Sequence, residues 1–181
     1  MDSTVKRVFV EKKPGYDIEA QSLARDLKQN LGIAGLQSLR IINRYDVQGL
    51  SDEEFQQTLN TVFAEPPVDR VYLETLPTNS TDRVLAVEYL PGQYDQRADS
   101  AAQCIQLLTQ KERPEVKTAK VIVMTGISEA EFERVRSYCI NPIECREASL
   151  EKPATLETVV QSPEDIKTLN GFIGFTRTEL E

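Results

Sequence analysis

The sequence predicts an α+β fold built from a duplicated β-α-β-α-β unit, with antiparallel sheets covered by helices and an extended segment at the C-terminus. The main observation is an internal repeat. The segment from Arg7 to the Pro14-Gly15 pair recurs from Arg83 to Pro91-Gly92, and residues 49–55 recur as residues 126–132. The Pro-Gly match and the Gly-Leu/Ile-Ser match share the same offset along the chain. A fixed offset in two separate matches indicates a repeated structural unit.

The first half, residues 5–76, reads as three strands and two helices. Alternation predicts strands near residues 5–12, 39–46 and 70–75. Asp17 can cap the first helix, which Gly32 ends, and the second helix starts at Ser51. The apolar stripes of the two helices recur every three or four residues; they are Ala20, Leu23, Ala24, Leu27 and Leu31, then Phe55, Leu59, Val62 and Phe63.

The second half, residues 82–148, gives the same order of elements. Strands are expected near residues 83–90, 118–125 and 143–146, with helices over residues 95–110 and from Ser128. Their stripes are Ala98, Ala101, Ala102, Ile105 and Leu108, then Phe132, Val135, Cys139 and Ile140. Both Ser51-x-x-Glu54 and Ser128-x-x-Glu131 match the capping box. The two halves form a domain over residues 1–148, and residues 149–181 are interpreted as a linker with a short helix between Ser162 and Gly171.

Composition excludes several classes of function. Lys and Arg total 21 against 29 Asp and Glu, which gives a net charge of -8 and a pI near 4.8. Such a surface repels phosphate backbones and anionic lipids, so neither nucleic acid nor membrane is expected as a partner. The N-terminus lacks the basic and apolar regions of a signal peptide, and the expected location is the cytoplasm.

Residue types also limit the chemistry that the chain can perform. It contains no histidine, and its three cysteines, Cys104, Cys139 and Cys145, form no Cys-x-x-Cys pair. The usual general base and the commonest metal ligand are therefore missing. We expect free thiols, no catalytic residue, and neither a metal nor a cofactor bound by this chain.

Three segments resemble one bacterial branch of single-chain phosphoribosylformylglycinamidine synthases. The closest resemblance lies in residues 89–106, which begin Tyr-Leu-Pro-Gly-Gln-Tyr-Asp-Gln-Arg-Ala-Asp-Ser; residues 40–47 and 141–153 are similar to the same branch. In that family this region is a duplicated domain equivalent to a dimer of the small PurS subunit of the multi-subunit form. The resemblance agrees with the repeat, and the three segments together with the N-terminal strand are distributed over nearly the whole chain.

The resemblance implies a role in purine biosynthesis. The family's enzyme is an ATP-dependent C–N ligase and glutamine amidotransferase that converts formylglycinamide ribonucleotide and glutamine into formylglycinamidine ribonucleotide. ATP and Mg²⁺ bind in its synthetase domain, and a separate glutaminase domain releases ammonia. The resemblance therefore implies a non-catalytic N-terminal domain whose partners are the synthetase and glutaminase domains of the same chain.

The segment after the second Pro-Gly turn is the strongest candidate site. It brings polar residues to a helix start, where backbone N–H groups and the helix dipole favour anions. Arg97 could make a bidentate contact with a carboxylate or phosphate, on the synthetase body or on a substrate. Alternatively, Asp95 only caps the helix and Arg97 only pairs with Asp99 or another surface acid. The candidate contact residues are Gln93, Tyr94, Asp95, Gln96, Arg97, Asp99 and Ser100.

Two weaker candidates and two other hypotheses stay open. Residues 43–46, Asn-Arg-Tyr-Asp, are interpreted as an interface patch or as a solvated strand end, and residues 111–117 as an exposed charged loop. A free-standing ligand sensor or dimerisation module is the alternative to a scaffold domain, because duplicated α+β folds often bind regulators between their halves. An independent enzyme is a third hypothesis, which the absence of histidine disfavours. Continuation of the reading frame past Glu181 into catalytic segments would favour the scaffold domain.

Overall fold

A computed structural model of the chain describes residues 4–157 and 172–180. Within these ranges it has six strands, namely β1 Lys6–Lys12, β2 Ser38–Gln48, β3 Asp69–Leu73, β4 Arg83–Tyr89, β5 Glu115–Thr125 and β6 Cys145–Glu147. The helices are α1 Ile18–Gln29, α2 Asp52–Thr58, α3 Gln96–Thr109, α4 Glu129–Cys139 and the short α5 Arg177–Leu180. A π-helical turn, Leu59–Phe63, extends α2, and a 3₁₀ turn lies at Phe172–Gly174. The fold is therefore α+β, as the sequence predicts.

All six strands form one antiparallel sheet in the order β3-β1-β2-β5-β4-β6. This continuous sheet replaces the separate sheets expected for the two halves. In each half the first strand lies between the third and the second, and the halves meet where β2 pairs with β5. Strands β1 and β4 begin at residues 6 and 83, and β2 and β5 at residues 38 and 115, so both pairs are separated by the same offset along the chain.

The helices pack on one face of this sheet over two apolar clusters. One cluster joins β1 and β2 to α2, its π-helical turn and α3; its buried members include Val8, Tyr45, Phe55, Phe63 and Ile105. The other joins β4 and β5 to α1 and α4; its buried members include Leu27, Leu85, Ile122, Met124 and Val135. Each cluster thus takes one helix from each half of the chain. This exchange ties the halves together, because neither cluster is complete within one half.

The opposite face of the sheet carries a third cluster and buried charges. Phe9, Ile42 and Val121 are buried there, together with Ala148 from the segment after β6. Arg7, Arg44 and Asp46 belong to the same face, because β-strand side chains alternate between faces. The boundary at residue 148 stays a prediction, but residues just beyond it lie against this face.

The signals at the helix starts are confirmed in part. Both predicted capping boxes form, at Ser51/Glu54 and at Ser128/Glu131. Asp17 occupies the N-cap position of α1, but its side chain accepts hydrogen bonds from Gly15 and Gln21 and caps no helical N–H.

Other expectations need correction as well. Leu108, assigned to the buried stripe of α3, is 44% exposed. Residues 115–117, expected in a loop, begin strand β5. The helix expected between Ser162 and Gly171 lies outside the described residues. Among the helices that are described, none is long and apolar enough to cross a bilayer.

Candidate functional site

A groove of about 670 Å³ opens on the helix-covered face, above the paired strands β2 and β5. Four of the seven candidate residues line it, namely Asp95, Gln96, Arg97 and Ser100. Its floor is built from strand residues that include Asn43, Tyr45, Thr118 and Lys120, and its far wall includes Cys139, Asn141 and Glu144. The sequence therefore indicated one wall of the groove and, through residues 43–46, part of its floor, but it missed Thr118 and Lys120.

Asp95 fixes the wall formed by α3. Its Oδ1 accepts the backbone N–H of Ala98 at 2.9 Å, so it caps the helix as predicted. Its Oδ2 accepts the hydroxyl of Thr118 at 2.7 Å, which ties the start of α3 to β5. The preceding turn requires Gly92, whose φ of 90° is disfavoured for residues with a side chain. Asp95 thus has a structural role that holds its neighbours in position.

Arg97 projects into the groove from the first turn of α3. Its Nη1 lies 3.4 Å from the hydroxyl of Tyr45, a long hydrogen bond. Tyr45 is 6% exposed and its ring packs against Phe63, with 4.9 Å between ring centroids. Within residues 4–157 and 172–180 no carboxylate pairs with Arg97, so the Arg97–Asp99 pair of the alternative interpretation is not formed. Its guanidinium is the group in this wall most available to an anionic partner.

The three remaining candidates, Gln93, Tyr94 and Asp99, form their hydrogen bonds outside the groove. Asp99 pairs with Arg113 and accepts the hydroxyl of Tyr94 at 2.9 Å. Hydrogen bonds from Arg113 and Tyr94 lower the pKa of Asp99, and the bond from Arg113 has the larger effect. The hydrogen bond to Asp99 raises the pKa of Tyr94. Gln93 donates to the carbonyl of Ile143 at 3.4 Å. These three residues shape the surface beside the groove.

Lys120 is the functional candidate that sequence reasoning missed. It stands directly opposite Asn43 in the β2–β5 pairing, and the offset of the repeat relates these same two positions. They therefore mark the centre of the sheet. Lys120 Nζ lies 2.5 Å from Oε1 of Glu19, so its charge is partly balanced. Its position among the otherwise apolar residues 119–124 was the available signal.

Residues 43–46 do not form a solvated strand end. They lie inside β2, where Arg44, Tyr45 and Asp46 are all buried. Alternation sends Asn43 and Tyr45 to the groove and sends Arg44 and Asp46 to the opposite face. One short polar run therefore contributes to both faces of the sheet.

All three cysteines line the groove as free thiols. Burial raises the pKa of Cys139, and nearby Cys145 adds to the effect, which disfavours a thiolate nucleophile there. Within the described part of the chain, no three His, Cys, Asp or Glu side chains are grouped to hold a metal ion.

Comparison with known proteins returned no relative: neither the scan against protein-family models nor the search of curated proteins found a match to this chain.

Proposed function

We propose that the chain is a duplicated α+β scaffold domain, with two copies of one β-α-β-α-β unit related by an approximate two-fold axis. The mirrored strand order carries this proposal. Two copies of a three-stranded unit, joined through their second strands, would give the order β3-β1-β2-β5-β4-β6. The constant offset between equivalent strands supports the same arrangement.

The particular protein we propose is phosphoribosylformylglycinamidine synthase, in which this chain would be the N-terminal, PurS-dimer-like domain. The support is the resemblance of residues 40–47, 89–106 and 141–153, together with an architecture that matches a fused dimer. The chain would be non-catalytic and cytoplasmic. ATP and Mg²⁺ would bind to the synthetase domain of the full-length ligase.

In this proposal the groove docks on the synthetase body, and Arg97 supplies the anchoring charge. Its guanidinium faces the groove, touches Tyr45 and has no carboxylate partner among the described residues. An acidic side chain of the catalytic body could satisfy it bidentately. Loss of one partner in such a desolvated pair typically costs about 2 to 5 kcal/mol of binding free energy.

The experiment is an activity assay of Arg97→Ala in the full-length protein. Glutamine-driven amination of formylglycinamide ribonucleotide should fall, and supplied ammonium should restore it if the groove helps to form the ammonia route. A defect that persists with ammonium would place the contact at the substrate or at the closure of the synthetase. Arg113→Ala is the matched control, because Arg113 also contacts α3, through Asp99, but does not line the groove. Wild-type activity of Arg97→Ala with both nitrogen sources would eliminate the docking role of Arg97.

The family assignment is tested separately by the activity of the unaltered full-length protein. Failure to form formylglycinamidine ribonucleotide with either nitrogen source would refute the assignment. The isolated chain should neither hydrolyse glutamine nor consume ATP, and glutaminase activity in a pure preparation would contradict the non-catalytic role.

The groove also supports a second candidate, a ligand-sensing or dimerisation module. A cavity of about 670 Å³ at the centre of the sheet, with Arg97 and Lys120 beside it, is large enough for a small anionic metabolite. Alkylation of Cys104, which is exposed and lines the groove, would report occupancy. Protection of Cys104 by a carboxylate or phosphate metabolite in the isolated chain would favour the sensor, and protection only by the synthetase domain would favour the scaffold.

A further inference from the structure

The sheet face opposite the groove is crossed by residues 148–156. The two ends of this segment are buried, with Ala148 at 5% and Leu156 at 1% exposure. Between them the chain has neither helix nor strand, and the side chain of Leu150 is 54% exposed. An irregular segment with an outward leucine and two buried ends needs further contacts to hold its middle; one of them is the ion pair between Lys152 Nζ and Oε2 of Glu74 at 2.7 Å.

Two buried arginines of the sheet make that attachment. Arg44 Nη1 donates to the carbonyl of Ser149 at 2.6 Å. Arg7 donates through Nη1 to the carbonyl of Leu150 at 2.8 Å and through Nη2 to that of Glu151 at 3.2 Å. Three consecutive backbone carbonyls are therefore bound by guanidinium groups, which is recognition of the backbone and independent of side-chain identity.

The charge balance shows why the arginines need these carbonyls. Arg7 is 2% exposed and Arg44 is 5% exposed, and Asp46 is the carboxylate that both contact. Two buried positive charges thus share one negative charge. Burial lowers the pKa of Arg44, the direction expected for a guanidinium held out of water. Carbonyl oxygens supply the additional acceptors that such donors require.

The far end of the segment is held by hydrogen bonds to the side chain of Gln48. The Oε1 atom of Gln48 accepts the backbone N–H of Leu156 at 2.7 Å and the hydroxyl of Thr155 at 3.2 Å. The Leu156 side chain is buried beside this contact. At the near end, the N–H of Ala148 donates to the carbonyl of Ala86 at 2.8 Å.

We propose that this sheet face is a binding site for an irregular peptide segment, recognised through its backbone and occupied in this chain by its own residues 148–156. Arg7 and Arg44 recognise the carbonyls in the middle, and Leu156 inserts its side chain at the end. The folded unit then extends to residue 156, and whatever follows starts from the face opposite the groove. This inference does not depend on the proposed function.

The test is hydrogen exchange of the Leu156 amide in the 181-residue chain, with the amides of β5 as an internal measure of global folding. Arg44→Lys keeps the charge but loses the planar guanidinium that contacts both the Asp46 carboxylate and the Ser149 carbonyl. The Leu156 amide should therefore exchange about tenfold faster or more. Leu156→Ala should have a similar effect without touching the arginines. Leu150→Ala is the matched control and should leave exchange unchanged, because that side chain points outward.

Each outcome decides. Faster exchange of the backbone amide at position 156 in both Arg44→Lys and Leu156→Ala, with the β5 amides still protected, supports the proposal. If Arg44→Lys unfolds the sheet, Leu156→Ala alone decides the question. Unchanged protection in Leu156→Ala, or in a folded Arg44→Lys variant, overturns the proposal. An effect of Leu150→Ala as large as that of Leu156→Ala overturns it too, because recognition would then depend on the central side chains.

Discussion

Replacing the buried Asp46 by Asn should strongly destabilise the domain. The substitution keeps the shape of the side chain and removes its charge. Asp46 is 3% exposed and accepts from Arg7 at two points, 2.5 Å from Nε and 2.9 Å from Nη2. Arg44 Nε lies 3.3 Å from the same carboxylate. The asparagine amide would turn an NH₂ group towards one of these cations.

The expected magnitude follows from the burial of all three side chains. Breaking a buried ion pair leaves an uncompensated charge out of water and costs about 3 to 5 kcal/mol. Contact with two guanidinium groups raises the expected cost within that range. The carbonyls of residues 149–151 lower the penalty, since they continue to accept from Arg7 and Arg44.

Urea denaturation followed by circular dichroism measures this loss. With a slope of about 2 kcal/mol per molar urea, the midpoint should fall by about 1.5 to 2.5 M. Glu129→Gln is the control: Glu129 pairs with Arg83 at 3.0 Å, both side chains are exposed, and such a surface pair contributes about 1 kcal/mol or less. A loss below about 1 kcal/mol for Asp46→Asn would refute the view that the buried charge cluster stabilises the sheet.

Three further predictions concern pH, backbone geometry and thiol reactivity. Burial raises the pKa of Glu11, but hydrogen bonds from Arg40 and Tyr72 outweigh burial, so the net pKa is lowered. The stabilisation by Glu11 should be complete above the ordinary pKa of 4.5 and disappear as the pH falls through the lower folded-state pKa. The urea midpoint of Glu11→Gln should therefore lie below that of wild type at pH 7 and converge with it at acid pH. Gly126→Ala should lower the melting temperature more than Gly92→Ala, because both positions have φ near +90° but only at Gly126 would a Cβ lie 2.6 Å from other atoms; equal effects would show that the contact is relieved without cost. Iodoacetamide should modify exposed Cys104 before Cys139, whose pKa is raised by burial, and mass spectrometry showing the reverse order would contradict this ranking.

Local signals predicted most of the elements because each depends on near neighbours. The spacing of Ala98, Ala101 and Ile105 placed α3 within one residue at each end, and those three side chains are buried. The failure at Leu108 has a tertiary cause, since periodicity indicates which face of a helix is apolar but not where the neighbouring element stops. Similarly, pairing of β2 with β5 joins the two halves of the chain, and this long-range contact leaves no local pattern.

The site was only partly predictable for the same reason. A Pro-Gly turn before a capped helix placed Asp95 and Arg97 among the candidate contact residues, and both line the groove. Tyr45 and Lys120 come from strands of different halves and meet only because β2 and β5 are neighbours. The burial of Asp46 could not be predicted, because a polar run in a strand does not reveal what covers either face.

The proposed two-fold relation between the halves does not extend to the chemistry of the groove. The offset of the repeat relates Tyr45 to Ile122 and Ile41 to Thr118, so these two polar floor residues have apolar counterparts, whereas Asn43 and Lys120 are related to each other. The polar members of both pairs, Tyr45 and Thr118, stand directly opposite each other in the β2–β5 register and contact α3 through its Arg97 and Asp95. The apolar members pack with the cluster under α1 and α4. A symmetric scaffold would therefore present one polar wall, and a single partner would engage it in only one orientation.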